Sequence, residues 1–308
     1  MRTINLGNSG LQVPVIAIGC MRINKVERKE AERFVKTALE LGTNFFDHAD
    51  RYGGATCEAI FADVIGMTPA VREKIILQSK CGIQQGYFDF SKDHILEAVD
   101  GSLKKLKTDY LDVLLLHRPD ALMEPEEVAV AFNELQTKGK VRHFGVSNHN
   151  PTQIQLLRKL VKQPLVANQL QLSIANATMI SAGLHVNMLE DGAVNRDCGV
   201  LDFCRLHDIT IQAWSPFQYG NPFGGGGVFL GSEKYPALNA AIDELAKKYE
   251  VTNTAIALAW ILRHPAHIQP LTGTMNSDRL RDCVAAADIV LTREEWYGLY
   301  KAAGNTLP

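Results

Sequence analysis

The 308-residue chain has no apolar run of the ~20 residues that a membrane-spanning helix requires. Its six cysteines (Cys20, Cys57, Cys81, Cys198, Cys204 and Cys283) are scattered, without a Cys-x-x-Cys pair. That spacing argues against a zinc ribbon or a disulfide framework and suits a reducing cytoplasm. An excess of one charge is missing too, since 32 Lys and Arg face 34 Asp and Glu. The two signs are interspersed, so no basic stripe for a nucleic acid is expected. The N-terminal MRTINLGNSGLQVPVIAIG lacks an apolar core ending in a small-residue cleavage site, and no signal peptide is expected. The expectation is a cytoplasmic protein, monomeric or a small homo-oligomer, without membrane or nucleic-acid partners.

What is present is a rhythm. Short runs rich in Val, Ile, Leu and Phe recur at 15–19, 44–47, 75–80, 112–117, 142–146, 166–170, 209–214 and 267–271. Most are continuously apolar, as parallel strands covered on both faces must be. Between them the spacing predicts helices over 27–42, 91–107, 124–139 and 150–160, with two more at 277–288 and 292–304. Ser91 is a candidate N-cap, with His94 at the reciprocal position, and Pro125 fits a first turn. Strand–helix alternation repeated about eight times, with no linker tract, argues for one α/β domain over 1–308, a (β/α)8 TIM barrel. A doubly wound sheet gives the same local pattern. The leading TINLGNSGLQVPV reads as a β-hairpin able to cap the barrel's bottom, and the last two helices are extra to the repeat.

Working residues of such barrels sit where strands end. Those positions hold Asp47, Lys80, His117, Ser147, Asn148, Gln169 and Trp214, with Tyr52 in the loop after Asp47. A lysine beside a carboxylate stays charged, and a cation near a phenol favours the phenolate. The expected consequence is a Tyr52 pKa lowered towards working pH. His117 could orient a carbonyl. The cluster brings no reducing equivalents, so a hydride donor must be supplied.

The motifs NFFDHADRYGG (44–54), SKCG (79–82), LLLHRPD (114–120), GVSN (145–148) and NQLQ (168–171) occur in order at strand ends. Together they resemble the signatures of the aldo-keto reductase family, over essentially the whole chain. DHAD, GCM and QAWSP resemble a bacterial oxidoreductase branch of it. The resemblance implies NADPH-dependent reduction of a small carbonyl compound, with NADH possible. Tyr52 would be the general acid and base, Lys80 paired with Asp47 would tune it, and His117 would position the carbonyl. Ser147, Asn148 and Gln169 would bind the nicotinamide carboxamide, and Trp214 would stack on its ring where relatives use Tyr or Phe. Ser215, Pro216 and Phe217 open a long loop (215–236) that would cover the pyrophosphate, and Met21 would add a contact. Thr274, Asn276 and Arg279 would meet the adenosine 2′-phosphate, and Asp282 the adenine. Many relatives carry Lys where Gly273 stands, so one phosphate-binding charge is missing there.

Other readings stand beside these. Arg22 is either a coenzyme contact or part of a rim salt bridge. GGGG at 224–227 lacks the spacing of a phosphate-binding turn, and a hinge in a closing loop is the better reading. His264 and His267 flank a turn rather than a metal, and no metal site is expected. Cys57, Trp260 and Trp296 are expected to pack. Two rival functions remain, a coenzyme-sensing regulatory protein with slow turnover and a Schiff-base lyase using Lys80.

Overall fold

The computed structural model describes residues 1–221 and 224–308; Pro222 and Phe223, inside the long loop singled out above, lie outside the described residues. The chain opens with an antiparallel hairpin, β1 (Thr3–Asn5) and β2 (Gln12–Pro14). Then come β3 (Ala17–Gly19), β4 (Phe45–Asp47), β5 (Ile76–Cys81), β6 (Leu111–Leu116), β7 (Val141–Ser147), β8 (Leu165–Gln171) and β9 (Thr210–Trp214). A small antiparallel ribbon, β10 (Gln218–Tyr219) and β11 (Gly227–Val228), precedes β12 (Gln269–Thr272). Strands β3 to β9 run parallel in order, and β12 pairs with both β9 and β3, which closes the barrel. The doubly wound alternative is thereby excluded, because an open sheet leaves two edges unpaired.

Helix α1 (Arg28–Glu40) forms where its spacing predicts it, and the short α2 (Cys57–Ile65) and α3 (Pro69–Arg72), not predicted, follow β4. After them come α4 (Lys92–Leu106), α5 (Pro125–Thr137), α6 (Pro151–Arg158), α7 (Thr178–Leu184) and α8 (Val200–Leu206). The set ends with α9 (Pro236–Tyr249), α10 (Asn253–Leu262), α11 (Ser277–Ala285) and α12 (Arg293–Ala302). Ala31, Phe34, Val35 and Ala38 form the buried face of α1, as their spacing predicts. Ser91 accepts from the His94 amide to cap α4, and Asn150 and Thr292 start α6 and α12 with complete capping boxes. Helix α10 is buried along Ala255–Ile261. There Trp260 stacks on Trp296 at 4.7 Å, and each indole N–H donates to the other residue's carbonyl. Such a pair contributes about 0.5–1.5 kcal/mol beyond its area burial and fixes α12 against the barrel.

The hairpin does close the entry end of the barrel. Leu6 and Val13 are fully buried among Phe45, Val113, Val166 and Leu271. At the turn, Gly7 donates its amide to Thr210 Oγ1 at 2.7 Å, with φ +54°. A β-carbon there would lie 2.5 Å from the Val166 carbonyl oxygen, so only glycine fits. Beside this plug, Arg72 and Asp112 form a buried ion pair at 2.7 Å. Arg72 also donates to Thr108 Oγ1 and to the carbonyls of Ile75 and Tyr110, and Asp112 accepts from the Leu77 amide and Arg142.

Candidate active site

At the opposite end the strands deliver polar side chains into one mouth. Asp47 ends β4, Lys80 lies one residue from the end of β5, and His117 follows β6. Lys80 is fully buried, and its three N–H groups have three acceptors. They are Asp47 Oδ2 at 2.7 Å, the His48 carbonyl at 2.7 Å and Tyr52 Oη at 2.9 Å. The His117 ring meets the Tyr52 ring edge-on at 5.8 Å. Its Nδ1 is buried without a partner among the described residues.

The electrostatics differ from the sequence expectation in one respect. Lys80 lowers the Tyr52 pKa, as expected, but burial of the phenol outweighs it and Asp47 adds to the rise. The net direction is upward from 10, so Tyr52 holds its proton at neutral pH. Burial pulls Lys80 down, yet Asp47 and Tyr52 more than compensate and hold it above its ordinary value. His117 is pushed well below its usual range by burial and then by Lys80 and Arg118, which keeps the imidazole neutral.

A layer of glutamines lies against this cluster. Gln78 donates to Asp47 Oδ1 at 2.6 Å and to Gln212 Oε1 at 2.9 Å. Gln169 donates to the same two oxygens, both at 3.2 Å. Gln212 donates on to Gln269, which donates to the Pro14 carbonyl. Asp47 is thus held by Lys80 on one oxygen and two amides on the other. The amide nitrogen of Gln169, expected to face a coenzyme, is turned towards this layer.

The remaining expected coenzyme residues form two groups. In the first, Trp214 Nε1 donates to Asn148 Oδ1 at 3.1 Å, and Asn148 donates to Ser147 Oγ at 2.7 Å. Ser147 donates to the Gln169 carbonyl. Asn148 (φ +60°) and Ser215 (φ +52°) are both left-handed, a strained backbone that turns the chain sharply out of β7 and β9. Pro216 is buried and Phe217 half-buried, with the Phe217 carbonyl accepting from Phe229. The glycines at 226 and 227 are tightly enclosed, whereas a β-carbon at Gly225 (φ +79°) would meet nothing within 4 Å. A β-carbon at Gly226 would lie 2.5 Å from the Tyr219 and Asn221 carbonyls, and one at Gly227 would meet the Tyr219 ring.

In the second group, Arg22 Nη1 donates to the Gly273 carbonyl at 3.1 Å. Arg22 therefore bridges the first and last strand-end loops, and among the described residues it makes no rim salt bridge. Thr274 Oγ1 accepts from the Asn276 amide, and Asn276 caps α11 by accepting from the amides of Asp278 and Arg279. Met21 is exposed; Arg279 is exposed on the first turn of α11 and Asp282 half-buried on the second. Among the described residues no group of three His, Cys, Asp or Glu side chains could hold a metal. His264 instead accepts from the Ala266 amide through Nδ1, and His267 sits in a left-handed turn at φ +50°.

Two features escaped the sequence reading. Arg118, half-buried directly after His117, carries its guanidinium 5.4 Å from the Trp214 ring centroid. Its place in LLLHRPD was the available signal. Behind Tyr52, buried Glu58 accepts from Ser79 and pairs with Lys105 at 3.7 Å. Burial and the neighbouring Glu58 push Asp50 up to about 7.

The comparisons with known proteins agree with this geometry. Residues 15–302 match the model of the aldo/keto reductase family. The uncharacterized oxidoreductase YcsN of Bacillus subtilis is 34% identical over the whole of both chains. A 6-dehydroglucose reductase of Agrobacterium fabrum is 35% identical over 87% of this chain and 86% of that protein. The thermostable aldo-keto reductase Tm1743, solved with the inhibitor epalrestat, superposes with a TM-score of 0.78 at 27% identity, covering 98% of this chain and 100% of that one. A closed eight-stranded barrel with ionisable groups gathered at its exit end, matched over nearly its whole length, places the chain in the aldo/keto reductase family.

Proposed function

We propose that this protein catalyses the reversible NADPH-dependent reduction of an aldehyde or ketone to an alcohol, as one unit spanning residues 1–308, with Tyr52 as proton donor. The observation that carries the reading is Lys80, held by Asp47, donating to the Tyr52 oxygen at 2.9 Å. Because Lys80 fills one lone pair of that oxygen, the phenol's own O–H is left to point towards an incoming carbonyl. As the proton leaves, negative charge collects on an oxygen already facing a buried ammonium group. Preorganised charge of this kind needs no reorganisation during the reaction. Neutral His117 can donate to the carbonyl oxygen and orient it without competing as an acid. General acid catalysis of this type is worth about 10²–10⁴ in rate.

Aldo-keto reductases use nicotinamide coenzymes, and a bound coenzyme supplies the hydride. The donor set fits such a group. Trp214, fixed by its bond to Asn148, offers a flat face, with Ser147 bonded to Asn148 beside it, and Gln169 would join them by turning its amide out of the glutamine layer. Ser215, Pro216 and Phe217 would cover the pyrophosphate. Arg22, Gly273, Thr274, Asn276 and Arg279 would hold the adenosine phosphate end, with Asp282 at the adenine and Met21 at the rim. The Schiff-base alternative is disfavoured because Lys80 is held charged and hence non-nucleophilic. An oxidised sugar belongs in the substrate panel, since one relative is named for such a reduction.

Replacing Tyr52 by Phe tests the assignment. Turnover with a panel of aldehydes and ketones should fall by about 10²–10⁴-fold, while NADPH fluorescence quenching persists because the ring is retained. Undiminished turnover in Tyr52→Phe would remove Tyr52 from the mechanism.

A further inference from the structure

We infer that Arg22 takes the place of the side chain that Gly273 lacks and supplies the cation for the 2′-phosphate of the coenzyme. This rests on the nicotinamide coenzyme proposed above. Strands β3 and β12 are neighbours, pairing Ile18 with Thr272, so the loops that follow them lie side by side at the mouth. Arg22 Nη1 reaches across that seam to the Gly273 carbonyl at 3.1 Å. A β-carbon built on Gly273 would lie 2.6 Å from the same nitrogen. A side chain at 273 would therefore push the far end of Arg22 out of that seat. The charge expected at 273 is not lost from the site; it arrives from the other side of the barrel seam.

The loop carrying Arg22 is pinned. Ile23 is buried and its amide donates to the Cys20 carbonyl at 3.1 Å. Cys57 Sγ donates to the Met21 carbonyl, and Asn24 reaches the Gly53 carbonyl. The pinned backbone presents Arg22, whose exposed side chain is seated by its bond to the Gly273 carbonyl, and a guanidinium can grip a phosphate through two N–H groups at once. The N-terminus of α11 does less than its position suggests. Asn276 Oδ1 already takes the amides of Asp278 and Arg279, both at 3.0 Å, so phosphate recognition falls more heavily on side chains. Exposed Arg279 is the second cation at that end.

The test is a cycle of three variants of the full chain: Arg22→Ala, Gly273→Lys and the double variant, with thermal melts as a check on folding. Dissociation constants for NADPH and NADH are read from fluorescence quenching. Arg22→Ala should weaken NADPH by about tenfold or more and leave NADH nearly unchanged, the signature of a lost charged contact to the 2′-phosphate. Gly273→Lys alone should bring little gain in NADPH affinity, because the new cation displaces the guanidinium from its seat. Its backbone is not left-handed, so the substitution itself should be accepted once the guanidinium shifts aside. The double variant should regain most of the NADPH affinity lost in Arg22→Ala. Equal weakening of both coenzymes would move Arg22 to the shared pyrophosphate and overturn the inference. So would a double variant no better than Arg22→Ala. Failure of the wild type to bind either coenzyme is a separate result, and it would overturn the coenzyme reading itself.

Discussion

Each end of the barrel buries a cation against an aspartate, and the two pairs differ in how completely their surroundings are bonded. At the entry end Arg72 and Asp112 are surrounded by partners on every side, and the Tyr110 ring lies between the Arg72 and Arg142 guanidinium groups at 3.7 and 3.8 Å. Neither Arg72 nor Asp112 has a buried polar side-chain atom without a partner among the described residues. At the exit end Lys80 and Asp47 are equally buried, but their surroundings are left incomplete. His117 Nδ1, Gln78 Oε1 and both nitrogens of His48 are buried and unpartnered among the described residues. The choice of cation follows. Arginine's rigid fork, always charged, suits a permanent joint, whereas lysine is a compact charge that answers to its neighbours. Around the two ion pairs, bonding is saturated at the entry end and left unspent at the end proposed to carry the chemistry.

The largest effect expected from breaking this contrast is at the structural end. Arg72→Met leaves Asp112 buried without its main partner and should lower unfolding free energy by about 3–5 kcal/mol. Chemical denaturation would measure this, and the catalytic constant of the folded fraction should hold. A matched fall in turnover would mean that the two ends are coupled. At the chemical end, Lys80→Met should cut turnover by about a hundredfold or more, and it should alter the pH profile in a definite sense. An acid is lost as pH rises through its pKa, and the Tyr52 pKa lies above 10. Reduction by the wild type should therefore stay level across neutral pH. Removing Lys80 takes away the influence that lowers the phenol, so the alkaline limb of the variant should move up, not down. A downward move would contradict the role given to Lys80.

The smallest effect concerns Asp50, whose pKa rises from 3.8 to about 7 on folding. The fold therefore disfavours its charged form, a penalty absent below pH 3.8 and complete above about 7. Asp50→Asn should stabilise the protein by roughly 1–2 kcal/mol at pH 8, within a ceiling of ~4 kcal/mol set by that shift. The gain should vanish near pH 4. Melting curves at the two pH values would measure it, and equal gains at both would show that charge is not the cause.

The barrel was legible in the sequence because most of its strands are buried along nearly their whole length and so read as apolar runs. The Tyr52 cluster was legible because strand ends are fixed positions once the strands are known. Helices α2, α9 and α10 received no bounds. In α10 the run Ala255–Ile261 is buried throughout, which erases the polar face on which helical periodicity depends. The glutamine layer was also hidden. Gln78, Gln212 and Gln269 lie far apart in the chain and meet only when β9, β12 and the earlier strands close into a ring. Arg22 on Gly273 has the same origin, since the first and last barrel strands become neighbours only at closure. The direction of the Tyr52 shift was missed for another reason. The sequence places a lysine near the phenol but does not say how completely the pair is withdrawn from water.

The stacked indoles of Trp260 and Trp296 divide the ultraviolet response of the chain in two. The sequence has three tryptophans, and the third, Trp214, stands at the mouth. Two parallel chromophores 4.7 Å apart couple their transitions, so their circular dichroism reports whether the last helix is docked. Emission from Trp214 would report what arrives at the proposed reaction centre. The protein thus carries separate optical reporters for integrity and for occupancy, and neither requires a label.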